Sequence, residues 1–161
     1  MIIAIFSSCW IRRWWLSRDD VYVFEFKRLT FIANYRILEK KRVLIIENDQ
    51  DIRQIVTYIL DNQGFETLSI PEPQEISELI TFNADLILLD EFINNHYGHR
   101  LCRKIKQTPA LAAIPVIILS TANDIELIAT ECEANDYVRK PFDLEDMIGK
   151  VVQLVNHQAV G

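Results

Sequence analysis

The run Leu86-Ile87-Leu88-Leu89-Asp90 places four consecutive apolar residues before a carboxylate. A strand with one face in water alternates apolar and polar side chains. An unbroken apolar run belongs to a strand covered on both faces, in a parallel sheet flanked by helices. Val43-Leu44-Ile45-Ile46 and Val116-Ile117-Ile118-Leu119 repeat the pattern. Helical stripes lie between and after these runs. Ile52, Ile55, Val56, Ile59 and Leu60 recur at helical spacing ahead of Gly64, a suitable stop. Ile76, Leu79 and Ile80 follow Pro73, and Leu101, Cys102 and Ile105 give a third stripe. Ile125, Ile128, Ala129 and Cys132 form a fourth, with Asn123 as expected N-cap and Glu126 at the capping-box position. Leu144, Ile148, Val151 and Val155 follow Asp143 as N-cap. Phe65–Ile70 and Asp136–Val138 fill the remaining strand positions. Five β/α units in alternation predict an α/β fold, a doubly wound five-stranded parallel sheet with helices on both faces.

The chain has 161 residues and a formal charge of −6, with Lys and Arg at 17 positions and Asp and Glu at 23. That balance argues against a phosphate-binding surface of the size nucleic acid needs. The four glycines are too scattered for a dinucleotide turn or a phosphate loop. Cys9, Cys102 and Cys132 suit neither a disulfide framework nor a zinc cluster. Cys102 and Cys132 fall on apolar helix stripes and read as small core residues, which fits a reducing cytoplasm.

Residues 1–40 differ from the rest. They contain Trp10, Trp14 and Trp15 and seven Lys/Arg against four Asp/Glu, whereas residues 41–161 have ten against nineteen. The longest uncharged run in residues 1–40, Met1 to Ile11, falls short of the ~20 residues that cross a bilayer. Arg12 and Arg13 follow that run instead of preceding it, unlike a signal peptide. Val21–Phe26 predicts a strand. The segment 1–40 reads as an extension without chemistry, such as an upstream lengthening of the reading frame. A Trp/Arg-rich interfacial anchor is the weaker alternative, because no helical stripe supports it. No membrane association is expected.

In open parallel sheets, ligands collect at the carboxyl ends of the strands. The first apolar run ends in Glu47-Asn48-Asp49, the second in Asp90-Glu91, and the third in Ser120-Thr121. The last strand ends in Arg139-Lys140-Pro141. Acids and backbone oxygens in a wet cleft are hard ligands suited to Mg²⁺. A carboxylate beside such an ion, facing an ammonium and a hydroxyl, is equipped to accept a phosphoryl group.

Residues 41–155 resemble the receiver domain of two-component response regulators, through four motifs in order. Val43-Leu-Ile-Ile-Glu47-Asn48-Asp49 stands at the family's acidic pair. Asp85-Leu-Ile-Leu-Leu-Asp90 matches the phosphoacceptor strand, with Gly98 at the loop's glycine. Ile114-Pro115-Val-Ile-Ile-Leu-Ser120 matches the switch-hydroxyl strand, and Asp136-Tyr137-Val-Arg-Lys140-Pro141-Phe142 the lysine–proline motif. The resemblance implies a flavodoxin-like strand order 2-1-3-4-5 and a receiver domain over 41–157, with 158–161 as a tail. It makes Asp90 the phosphoacceptor and not an enzyme's active centre. Glu47, Asn48, Asp90 and the backbone carbonyl of Phe92 become the Mg²⁺ site. Ser120 and Lys140 would hold phosphoryl oxygens, and Tyr137 would be the switch aromatic; its plainer reading is a half-buried core ring. The Lys140–Pro141 bond is cis in the family.

The implied partners are a histidine kinase or phosphotransfer protein upstream and a protein target downstream. The target would be met by the face of the fourth helix, fifth strand and fifth helix. With about six residues after the last helix, no output domain is expected, nor direct nucleic-acid binding. The alternative is a degenerate receiver that binds partners without phosphorylation. A haloacid-dehalogenase-like phosphatase needs a second aspartate two residues after the first, where this chain has Phe92. Three residues depart from the family pattern. Asn48 replaces an acid, Asn94 replaces a loop proline and so predicts a less restrained Ile93–His96, and Thr121 replaces a small residue. His96, His99 and His157 form no ligand pattern and read as solvated.

Overall fold

The structure is a computed structural model that describes residues 21–26, 29–34, 40–94 and 96–157. The chain divides into two compact units, 1–39 and 40–161. In the first, the predicted strand Val21–Phe26 pairs antiparallel with a second strand, Leu29–Asn34, which the sequence reading did not anticipate. The tryptophans and the tail 158–161 lie outside the described residues.

The second unit contains β1 (Arg42–Ile46), α1 (Gln50–Asn62), β2 (Glu66–Ile70), α2 (Ile76–Phe82) and β3 (Leu86–Asp90). It continues with α3 (Gly98–Gln107), β4 (Val116–Ser120), α4 (Ile125–Glu131), β5 (Asp136–Arg139) and α5 (Leu144–His157). The five strands are parallel and lie in the order β2-β1-β3-β4-β5. This is the doubly wound sheet predicted from the apolar runs.

Strand periodicity explains why those runs are unbroken, since successive side chains point to opposite faces. Leu44, Ile46, Ile87, Leu89, Val116 and Ile118 bury one face with Leu79 of α2, Cys102 and Ile105 of α3, and Ile125 of α4. Val43, Ile45, Leu86, Leu88, Ile117 and Leu119 bury the other with Val56 and Leu60 of α1 and Met147, Val151 and Val155 of α5. The edge strand β2 is only partly buried, with Glu66 and Leu68 exposed. Cys102 and Cys132 are buried, unpaired core thiols.

The helix ends largely follow the sequence signals. Asp49 caps α1 through Oδ1, accepting from the N–H groups of Asp51 at 2.9 Å and Ile52 at 3.0 Å. Gly64 follows that helix at φ +90°, a conformation that glycine adopts without a steric cost. Asp143 caps α5 at Glu145 and Asp146, as predicted. The start of α4 differs: Asp124, not Asn123, stands at the N-cap, and no side chain bonds the first turn. The carbonyl of Asn123 instead accepts from Arg139 of β5 at 3.3 Å.

Candidate functional site

Four strand ends bring their polar residues to one edge of the sheet. Asp90 is the last residue of β3, and Glu47 directly follows β1, its N–H donating to the Ile70 carbonyl of β2 at 3.1 Å. Ser120 ends β4, and Lys140 directly follows β5, its N–H continuing the ladder to the Ser120 carbonyl at 2.7 Å. The Lys140–Pro141 bond is cis.

Lys140 ties the site together. Its Nζ donates to Glu47 Oε2 at 2.6 Å and to Asp90 Oδ1 at 2.8 Å. The side chains are 13 % exposed for Lys140, 1 % for Glu47 and 9 % for Asp90, so these ion pairs are poorly screened. Burial pushes the Glu47 carboxyl above its usual range. The Lys140 ammonium and the Asp49 N–H oppose that shift, while the Asp90 charge adds to it. The second Glu47 oxygen accepts from the Asp49 N–H at 3.0 Å, which leaves neither oxygen free.

Asn48 is exposed at the mouth of the cleft, and its side-chain amide faces two acceptors, Asp90 Oδ2 and the Phe92 carbonyl. Turned with its nitrogen inward, the amide would donate to the Phe92 carbonyl at 2.8 Å and to Asp90 Oδ2 at 3.3 Å. Asp90 Oδ2, the Phe92 carbonyl and Asn48 therefore converge on one point. The donor set is hard and fits a Mg²⁺ ion with the amide oxygen inward, with Glu47 behind as an acid held by Lys140. It carries fewer charges than a site with three acids. Among the described residues, no three His, Cys, Asp or Glu side chains are grouped to hold a metal.

Ser120 is buried, and its Oγ accepts from the Ala122 N–H at 3.0 Å, within its own loop. Tyr137 packs against the core beside α4, with Lys150 Nζ 5.2 Å from its ring centre. Tyr137 is thus the half-buried core ring of its plainer reading.

Several neighbours were not singled out from the sequence. Arg53, in the second turn of α1, donates to the carbonyls of Glu47 at 2.5 Å and Asn48 at 3.2 Å, fixing the loop that carries both. Its place four residues after the cap Asp49 was the available signal. Glu91 is buried beside Asp90 and bonds His99 twice, at Nδ1 (2.6 Å) and at the backbone N–H (3.1 Å). His99 is therefore partnered, not simply solvated. His96 is exposed, and the His157 side chain lies outside the described residues.

The loop after Asp90 is also tied down more firmly than the missing proline suggested. Phe92–Ile93 pairs antiparallel with His96–Tyr97, Ile93 is buried, and Asn94 Nδ2 reaches Glu72 at 2.9 Å. Asn94 has φ +43°, which asparagine tolerates better than most residues and proline cannot adopt. The residue that removes the ring restraint thus permits the tight turn.

Arg139 holds the loop after Ser120 through the Ala122 carbonyl at 2.5 Å and the Asn123 carbonyl at 3.3 Å. Arg139→Ala is expected to cost only about 1 kcal/mol, because the bonds are exposed. Faster hydrogen exchange at residues 121–124, with the sheet core unchanged, is the measurement that checks it.

Comparison with known proteins agrees with this architecture. Residues 43–152 match the response regulator receiver domain, and the chain belongs to that family. It is 29% identical over 118 residues to the transcriptional regulatory protein GltR of Pseudomonas aeruginosa, covering 71% of this chain and 49% of that protein. The chain thus spans about half the length of the curated relatives it matches. A two-component response regulator from Clostridium difficile superposes with a TM-score of 0.67 at 25% identity, covering 74% of this chain and 98% of that one. The receiver domain of a sensor histidine kinase from Pseudomonas aeruginosa, solved with a magnesium ion in its active-site cleft, shares the fold. Its TM-score is 0.65 at 19% identity, with 73% of this chain and 98% of that one covered. No helix among the described residues is long and apolar enough to cross a membrane.

Proposed function

We propose that this receiver accepts a phosphoryl group on Asp90 from a histidine kinase or phosphotransfer protein and signals by protein contact. One observation carries the reading: Lys140 joins Asp90 and Glu47 at 2.8 and 2.6 Å on the edge where four strands end. In the transfer, a carboxylate oxygen of Asp90 forms a bond to phosphorus as the P–N bond of phosphohistidine breaks. The imidazole nitrogen keeps that electron pair and takes a proton from solvent. Lys140 stays within reach of the incoming oxygens, and Ser120 can turn its hydroxyl to donate to one of them. Asp90, the Phe92 carbonyl and Asn48, backed by Glu47, would hold Mg²⁺, which when bound screens charge on the phosphoryl oxygens. Movement of Ser120 would be followed by Tyr137, changing the α4–β5–α5 face that meets the downstream target. The reading sets the receiver in the cytoplasm, where Cys102 and Cys132 stay reduced.

Incubation with acetyl phosphate and Mg²⁺, followed by intact mass, tests the proposal. A mass gain of one phosphoryl group is expected. One observation favours the second reading, a receiver that binds partners without phosphorylation: Asn48 stands at the cleft where the family pattern has an acid. No mass gain, with partner capture intact, would decide for it.

The proposal also places all the chemistry in residues 41–157, with 1–40 as an extension and 158–161 as a tail. The family match supports this, since it spans residues 43–152. A chain beginning at Lys40 is therefore expected to melt cooperatively and to phosphorylate at the rate of the longer one. Loss of the cooperative transition, followed by far-ultraviolet circular dichroism, would assign part of the core to the upstream segment.

A further inference from the structure

We infer that the exposed face of α3, headed by Phe92 and Tyr97, is a docking surface for an acidic amphipathic helix of another protein. Arg100, Arg103, Lys104 and Gln107 recur at helical spacing and are all exposed, while Cys102 and Ile105 turn into the core. Tyr97 precedes Arg100 by three residues and extends the stripe past the helix start. Tyr97 is 50 % exposed and Phe92 52 %. Their rings meet edge to face at 6.0 Å, and the Arg100 guanidinium lies 5.9 Å from the Tyr97 ring centre. Apolar contact area and three cations thus run together along one surface.

The fold does not balance the charge on this face. Residues 41–161 hold ten Lys and Arg against nineteen Asp and Glu, yet α3 has four of the ten and no acid. The helices α1, α2, α4 and α5 each place an acid in the first turn, where the helix dipole favours one. Arg100 stands there in α3, against the dipole. Lys41, Lys140 and Lys150 all pair with carboxylates. Among the described residues, Arg100, Arg103 and Lys104 form no ion pair, and Arg103 reaches only the Glu131 carbonyl at 3.2 Å. A domain rich in acids that leaves three neighbouring cations without one is complementary to acid from elsewhere.

The size of the stripe selects among acidic partners. Nucleic acid is held through many phosphates at once, on the order of six to ten, and the surplus of acids in the receiver repels a long polyanion. A second copy meeting this face symmetrically would set cation against cation. An acidic amphipathic helix fits instead. Its carboxylates reach Arg100, Arg103 and Lys104, and an apolar side chain lies on Phe92 and Tyr97. The inference uses the Phe92 ring and not its carbonyl, so it does not rest on the phosphoacceptor reading.

The test is the anisotropy of a fluorescein-labelled helical peptide, with glutamates on one face and leucine and phenylalanine on the other, mixed with the full chain. Binding is expected at low salt and should weaken as NaCl screens the charges. Arg100→Glu and Lys104→Glu together should weaken it roughly tenfold or more and flatten the salt dependence. Tyr97→Ala should also weaken it but keep the wild-type salt dependence, because it removes contact area and no charge. A footprint on ¹⁵N-labelled wild type needs no variant: the backbone amides of 97–107 should shift with the peptide ahead of those of α4, β5 and α5. No rise in anisotropy at low salt, a footprint centred elsewhere, or undiminished binding by the doubly reversed chain would each overturn the inference. Tighter binding of a DNA oligonucleotide than of the peptide would overturn it in favour of nucleic acid. Self-association in sedimentation that the double reversal abolishes would overturn it in favour of a second copy.

Discussion

Asp90→Asn is expected to remove Mg²⁺-dependent phosphorylation by acetyl phosphate altogether, while leaving the melting temperature unchanged or slightly raised. The loss is complete because an amide oxygen is too weak a nucleophile to form an acyl phosphate. The other carboxylates at this edge are committed elsewhere. Glu47 uses Oε2 on Lys140 and Oε1 on the Asp49 N–H. Glu91 is turned toward His99 and holds it twice, and Asp49 caps α1. The fold survives because asparagine has the shape of aspartate and its oxygen still accepts from Lys140. It also relieves one of the two buried negative charges that a single ammonium must balance, so Lys140 pairs with Glu47 alone. Intact mass after a fixed incubation reads the first half, and a thermal melt the second. A mutant that gains a phosphoryl group at the wild-type rate would move the acceptor to another residue.

The reason Asp90 could be found without coordinates is the same one that made the sheet legible. Strands buried on both faces are apolar along their length, so the first polar residue at the end of each apolar run marks the place where the chain leaves the core. Three such exits, at Glu47, Asp90 and Ser120, and a fourth at Lys140, define an edge in sequence alone. The half-exposed β2 was placed only because the β/α alternation left a strand position for Phe65–Ile70 to fill. The strand Leu29–Asn34 was not, because Lys27 and Arg28, which separate it from its partner, are not turn-forming residues.

What stayed hidden was orientation. Sequence places Asn48 beside the acceptor, but not with its side-chain amide facing Asp90 Oδ2 and the Phe92 carbonyl. That depends on which atoms the neighbouring loop presents. Likewise, the short ladder Phe92–Tyr97 follows from pairing across a turn in which Asn94 takes a positive φ, and no periodicity announces so short a ladder. Arg53 acts through two loop carbonyls and His99 through one carboxylate, and contacts so few leave no pattern to count.

Gly98→Ala is expected to be among the most damaging single-methyl additions in the receiver. A Cβ on Gly98 would stand 2.0 Å from the Asp90 carbonyl oxygen and 3.0 Å from both the Asp90 carbonyl carbon and Glu91 Cα. All three are backbone atoms, so no side chain can swing aside to make room. The approach is held from both ends: the Gly98 N–H donates to the Glu91 carbonyl at 2.6 Å, and the Glu91 N–H to the Leu119 carbonyl of β4 at 2.8 Å. Making space for the methyl group must therefore lift the start of α3 or pull the end of β3 away from β4. Overpacking against fixed backbone places the cost on the order of 3 kcal/mol, a drop of about 10 °C in Tm for a domain of this size. The damage falls on function as well, because the displaced backbone is that of Asp90 itself. Phosphorylation by acetyl phosphate should slow even well below the melting temperature, where nearly all molecules are folded. That second effect separates this substitution from one that merely empties or crowds the core. A Gly98→Ala chain that melts like the wild type would mean that α3 can shift freely, and that glycine is not what allows the loop after Asp90 to close.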